Sequence, residues 1–135
     1  MLEKIDLELK LRIMYLYTII ITFIFGLGIL IAPDMMKSMF GWPKQDPIVL
    51  GIAGSVFLAF GLLSILGLRA PLKFMPILLM QLCYKVIWFI AVVLPLLIIG
   101  QFPSYAILHI IIFATFIIGD IIVLPFSDLI AKKSD

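Results

Sequence analysis

Lys85 and Asp120 are the residues of this sequence whose types and surroundings point most directly to chemistry, because each places a charge inside a run of apolar residues. A buried lysine and aspartate can hold one another as an ion pair, relay a proton or ion, or present a charge to a ligand. Gln81 precedes Lys85 by one helical turn and shares its face, Tyr84 and Trp88 flank it, Thr18 and Thr22 stand four apart in an earlier run, and Ser64 lies in another. Together these form a candidate ligand-binding or buried polar network. The other reactive side chains complete no catalytic set. His109 is the only histidine, which excludes haem ligation by a histidine pair, and an interfacial hydrogen bond is its expected role. Cys83 is the only cysteine, which excludes a disulfide or dithiol within the chain, and it is expected as a buried, small apolar group. The sequence has no Gly-rich phosphate loop, no HExxH metal site and no Gly-x-Ser-x-Gly turn, so no catalytic residue, metal or cofactor is assigned.

Membrane helices are the elements expected to position the network. Of 135 residues, 64% are hydrophobic and only 13% are charged. With a mean hydropathy of +1.29, that is too greasy for a soluble domain of this length. Disorder and a disulfide-stapled module are excluded, and a net charge of +2 with scattered basic residues gives no footprint for nucleic acid. A helix crossing the hydrocarbon core needs roughly 20 apolar residues. Four segments meet that need, at about 13–32, 48–68, 77–99 and 105–126. Helix punctuation marks their limits: Pro33 after the first, Asp46-Pro47 before the second, Pro76 and Gly100 around the third, Pro103-Ser104 before the fourth. None alternates with period two, so a barrel is excluded. The fold class is all-α, an integral membrane four-helix up-down-up-down bundle forming one transmembrane domain over 1–135.

The tails and the middle loop hold Lys4, Lys10, Arg12, Arg69, Lys73, Lys132 and Lys133, seven basic residues against Lys37 and Lys44 on the other side. This bias predicts both termini in the cytoplasm of a bacterial inner membrane. The twelve residues before the first span carry three acids and three bases, unlike a cleaved leader, so the first span is expected to stay as an anchor. Leu2, Ile5 and Leu9 lie along one helical face, so the first helix is expected to begin before the membrane and graze its surface. Met35, Met36, Met39 and Phe40, followed by Trp42, predict a short helix on the outer leaflet with an aromatic anchor.

With that topology, Lys85 lies roughly 12 Å and Asp120 roughly 9 Å from the cytoplasmic side, at about 1.5 Å of rise per residue. The two charges therefore share a depth on consecutive antiparallel helices. Three arrangements satisfy the pattern: Lys85 snorkelling to the cytoplasmic headgroups, a Lys85–Asp120 pair fixing helix register, or a functional polar pocket. Gly51, Ser55 and Ala59 follow small-xxx-small spacing, with Gly54 and Gly61 on an adjoining face, so two helices can approach the second span. A homodimer seam, or a partner membrane protein, is the alternative use of that stripe. Pro95 removes the backbone bond to Ala91 and predicts a kink in the third span.

Two stretches carry a family likeness: Leu79-Met80-Gln81-Leu82-Cys83-Tyr84-Lys85-Val86-Ile87-Trp88-Phe89, and Gly119-Asp120 followed by Pro125-Phe126. There the chain resembles small four-helix bacterial membrane proteins. More loosely it is similar to the DoxX-like superfamily, including in Gly26-Leu27-Gly28 leading to Ala32-Pro33. The resemblance implies a four-helix inner-membrane protein and no particular activity. Some DoxX-like relatives are linked to redox partners, a role that one cysteine and no cofactor motif do not support here. The function expected is a non-enzymatic accessory or lipid- or amphiphile-binding protein whose partners are membrane lipids. The alternative is an oligomeric transporter or channel using Lys85 and Asp120 as a relay.

Overall fold

Prolines, glycines and one aspartate decide where the helices begin and end. The computed structural model describes residues 1–132, so Lys133 of the basic tail lies outside the described residues. Among the described residues there is no strand. The elements are α1 (Leu2–Ile31), α2 (Pro33–Phe40), α3 (Pro47–Arg69), α4 (Met75–Trp88), a π-helical turn (Phe89–Val93), α5 (Leu94–Ile98), a 3-10 turn (Ser104–Ala106), α6 (Ile107–Val123) and α7 (Phe126–Ile130). Asp46 caps α3, its carboxylate accepting from the backbone N–H of Ile48 at 2.8 Å and of Val49 at 3.1 Å, while Pro47 fills the first helical position. Gly100, at φ 70°, takes the left-handed conformation that ends the third long helix.

Four helical stretches are long and apolar enough to cross a membrane: Leu2–Ile31, Pro47–Arg69, Met75–Ile98 and Ser104–Val123. The first is continuous from Leu2, as expected of a helix that begins before the apolar run, and it takes in the charged leader. The fourth ends at Val123 because Pro125 forces Leu124 into extended backbone (ψ 126°), and the chain turns into α7.

The closest helix pair is α1 with α3. A Cβ on Gly26 would stand 2.9 Å from the backbone nitrogen of Leu58 and 3.1 Å from the carbonyl oxygen of Gly54. Gly61 lies against Phe23 and Thr22, and Gly67 against the ring of Tyr15, so the residue order along α1 opposes that along α3. The seam is thus made by the Gly54–Gly61 face. Gly51 has open space beside it, and Ser55 turns its hydroxyl back to the Gly51 carbonyl at 2.8 Å. Gly51, Ser55 and Ala59 line a shallow outward groove bordered by Leu30 of α1.

Near Pro95 the third long helix contains a π turn, in which the Leu94 N–H reaches back five residues to the Phe89 carbonyl. An extra residue per turn accommodates a ring that cannot donate and would crowd the carbonyl four residues earlier. Close approach to the other helices then comes mainly from α4, and no residue of α5 is buried.

A cluster of Leu11, Met14, Tyr15, Leu78, Leu82, Phe116 and Leu124 closes one end of the bundle. The Tyr15 hydroxyl donates to the Pro71 carbonyl at 2.8 Å, tying α1 to the loop between α3 and α4. Cys83 was expected to be buried and is exposed. The inward face of α4 is Leu78, Gln81, Leu82 and Lys85, and helical spacing turns position 83 away from it. In α2, Met36 is buried against Gly28 whereas Met35 and Met39 are exposed. Lys37 lies 2.9 Å from Asp34 and holds its carboxyl below the ordinary aspartate value. That contribution is present at neutral pH and lost as pH falls through the lowered value; Asp34 is fully exposed, so water screens most of it.

Candidate functional site

Each polar residue expected to form the network is carried inward by a helical stripe. On α6 the stripe is His109, Phe113, Phe116 and Asp120; on α4 it is Gln81, Tyr84, Lys85 and Trp88; on α1 it is Thr18, Thr22 and Phe25. Thr18, Thr22, Ser64, Gln81, Lys85 and Asp120 are all buried. They do not form one continuous network. The Gln81 amide nitrogen donates to Thr18 Oγ1 and to Asp120 Oδ2, both at 3.3 Å, linking α1, α4 and α6. Thr18 donates to the Met14 carbonyl at 2.8 Å and Thr22 to the Thr18 carbonyl at 2.6 Å, so both threonines satisfy their hydroxyls within α1. Asp120 Oδ1, Gln81 Oε1 and Ser64 Oγ are buried without hydrogen-bond partners.

Lys85 neither snorkels nor pairs with Asp120. It is 1% exposed, and its ammonium donates to the Tyr84 hydroxyl at 2.8 Å. The ion pairs among the described residues are Lys10–Asp6, Arg12–Glu8 and Lys37–Asp34, each between helix neighbours away from this site. Lys85 Nζ instead lies over three rings, 4.3 Å from the centroids of Tyr84 and Phe116 and 5.0 Å from that of Phe113. The physical reason is local: Gln81, one turn away on the same face, takes the carboxylate, and the ammonium turns to electron-rich ring faces. With one hydrogen bond made, two of its three N–H donors are free of protein acceptors.

Lys85 is also among the residues lining a cavity of about 520 Å³. It runs from Lys85, Tyr84 and Phe116 to Trp42, Tyr105 and His109, between walls that include Phe25, Phe57 and Trp88. Asp120, Gln81 and Ser64 do not line it. The cavity wall is thus mainly apolar and aromatic, with Lys85 as its one lysine, a setting suited to an acid with an apolar body.

Sequence reading missed the ring cage and the far end of the cavity. Phe113 and Phe116 were legible in principle, since they precede Asp120 by seven and four residues on its helical face. Trp42, expected as an interfacial anchor, lines the cavity as well, stacked on Phe40 (ring centroids 5.5 Å apart) and set against His109 at 5.5 Å. No sequence period signals that a loop residue folds inward. His109, expected to make an interfacial hydrogen bond, sets its ring against Trp42 and Phe25. Among the described residues no group of three His, Cys, Asp or Glu side chains could hold a metal ion. Comparison with known protein families, curated proteins and solved structures gives no match.

Proposed function

We propose that this chain is a non-enzymatic accessory or ligand-binding membrane protein that takes an anionic amphiphile into its cavity, the acidic end on Lys85 and the apolar body along the aromatic walls. In this proposal its four long helices cross the bilayer up-down-up-down with both termini cytoplasmic, as the seven-to-two distribution of basic residues predicts. The likeness to DoxX-like proteins belongs to the same proposal. Large apolar side chains exposed on every long helix, among them Ile24, Ile52, Ile87, Ile90 and Ile118, support a lipid surround. A carboxy-terminal green fluorescent protein fusion should fluoresce and the matching alkaline phosphatase fusion should be inactive; the opposite result overturns the orientation.

The observation that carries the binding proposal is a buried lysine in the wall of a cavity, whose ammonium has a phenol, rather than a carboxylate, as its hydrogen-bond partner. Taking a charge out of water costs several kcal/mol unless a partner compensates. Ring faces return about 0.5–2 kcal/mol. An anionic ligand would complete the site. Binding is measured by displacement of a fluorescent fatty acid from the purified protein in detergent. Lys85→Met should weaken a straight-chain carboxylic acid by about 10- to 100-fold, the weight of a charge-assisted hydrogen bond, and leave the matching alcohol nearly unchanged. A lysophosphatidic acid tested alongside tells a phosphate head from a carboxylate. Equal affinity of wild type and Lys85→Met for both acids would sink the proposal.

A further inference from the structure

One side of the cavity lacks a wall. Residues of α1, α3, α4 and α6 line it, with Trp42, Gln45 and Tyr105 at the far end, but none of residues 89–98 does, the stretch that holds the π turn and α5. The third long helix thus stops lining the cavity at Trp88, while α1, α3 and α6 continue along it. The other sides are joined. The glycine seam closes α1 on α3, the hydroxyls of Tyr17 and Thr115 bond α1 to α6, and Trp88 packs on Phe113 of α6 with centroids 4.9 Å apart. Between α3 and the third long helix the one aromatic tie among the described residues is Phe60 with Tyr84, at 5.4 Å, and it lies on the Arg69 side of Val56.

Exposure marks the same side. Two of the lining residues are exposed, Val56 at 43% and Tyr105 at 36%. Val56 also lines the outward groove of α3, so it is a rim residue that touches both the cavity and the outer face. It stands nine residues beyond Pro47, roughly 14 Å along the helix and near the middle of a hydrocarbon core of about 30 Å. An opening at that depth meets lipid chains, not headgroups or water. At the far end, by contrast, the rings of Phe40, Trp42 and His109 are packed on one another.

We infer that the cavity opens sideways, between α3 and the third long helix, and takes its ligand from the bilayer: a single-chain acid whose far end leaves through the opening and stays among the lipid chains. This rests on the acid-binding role of Lys85 and adds a route of entry and a specificity. A closed cavity of about 520 Å³ rejects a chain that is bulky at its far end, because a packed apolar space tolerates little added volume. A side opening puts that end in lipid, where bulk costs little and chain length meets no upper limit.

The test uses the full-length protein in detergent. Hexadecanoic acid and the same acid capped at its far end by an adamantyl group compete with a fluorescent fatty acid, each at its measured free concentration. Wild type should bind the two within about threefold of one another. Val56→Trp narrows the opening from its rim, so the ratio of capped to plain dissociation constants should rise about tenfold, as overpacking predicts. Ala53→Leu, on the same wall of α3, is the second variant if the first melts early. If wild type itself prefers the plain acid by about tenfold or more, the cavity is closed and the side opening is wrong, with acid binding intact. An unchanged ratio in a variant that melts with wild type places the exit elsewhere and also overturns the inference. If wild type binds neither acid, the acid-binding proposal falls, and the side opening with it.

Discussion

Gly26→Val is expected to lower the stability of the folded bundle by about 3 kcal/mol, the upper range for forcing extra volume into a packed seam, whereas Gly51→Val should change it little. The difference lies in what each new side chain meets. At Gly26 even a Cβ would lie 2.9 Å from the Leu58 backbone nitrogen and 3.1 Å from the Gly54 carbonyl, and backbone cannot swing aside as a side chain can. The α1 and α3 axes would have to separate, loosening the contacts of Gly61 with Phe23 and of Gly67 with Tyr15 along the same seam. At Gly51 nothing lies within contact of a new Cβ. Melting of purified protein in detergent, followed by circular dichroism, checks both. If Gly26→Val melts with wild type, α1 and α3 are not as close as described. If Gly51→Val is the more damaging change, the seam lies on the stripe of Gly51, Ser55 and Ala59 instead.

The contrast between those glycines shows where sequence reading stops. Helix punctuation depends on near neighbours, so Asp46-Pro47 and Gly100 were legible as limits. The inward polar positions were legible too, because Thr18, Ser64, Gln81, Lys85 and Asp120 interrupt apolar periods. Which small face of α3 meets α1 was not, since Gly51–Ser55 and Gly54–Gly61 have comparable spacing and only the partner helix chooses between them. Pro95 foretold a disturbance, but the form it takes, a π turn, depends on how the helix restores its backbone bonds. The partner of Lys85 was the least legible feature. Depth put it level with Asp120, and depth alone contains neither the competing donor at Gln81 nor the three rings that receive the ammonium.

Gln81→Leu is expected to destabilise the bundle by about 2 kcal/mol, the cost of leaving a buried acceptor without its donor. Asp120 is fully buried, its Oδ2 accepts from Gln81 at 3.3 Å, and its Oδ1 already lacks a partner. Removing the amide therefore strands the acid. Asp120→Leu should be far milder, because it deletes the stranded group itself and leaves Gln81 bonded to Thr18 at 3.3 Å. Replacing a buried polar pair by apolar residues of similar volume is often neutral or stabilising. The variant carrying both Gln81→Leu and Asp120→Leu should accordingly melt at or above wild type, a coupling of about 2 kcal/mol between two residues in direct contact. The same cycle run on Lys85→Met and Asp120→Leu should give a smaller coupling, because the ammonium bonds to Tyr84 and makes no ion pair with the carboxylate. Ranking the two couplings decides the role of the buried charges. If Lys85 couples to Asp120 more strongly than Gln81 does, the lysine serves helix register, and its ammonium is not free for a ligand. If Gln81 dominates, the carboxylate belongs to an interhelical link that can be exchanged for leucine, and Lys85 is left as the charge that the cavity presents.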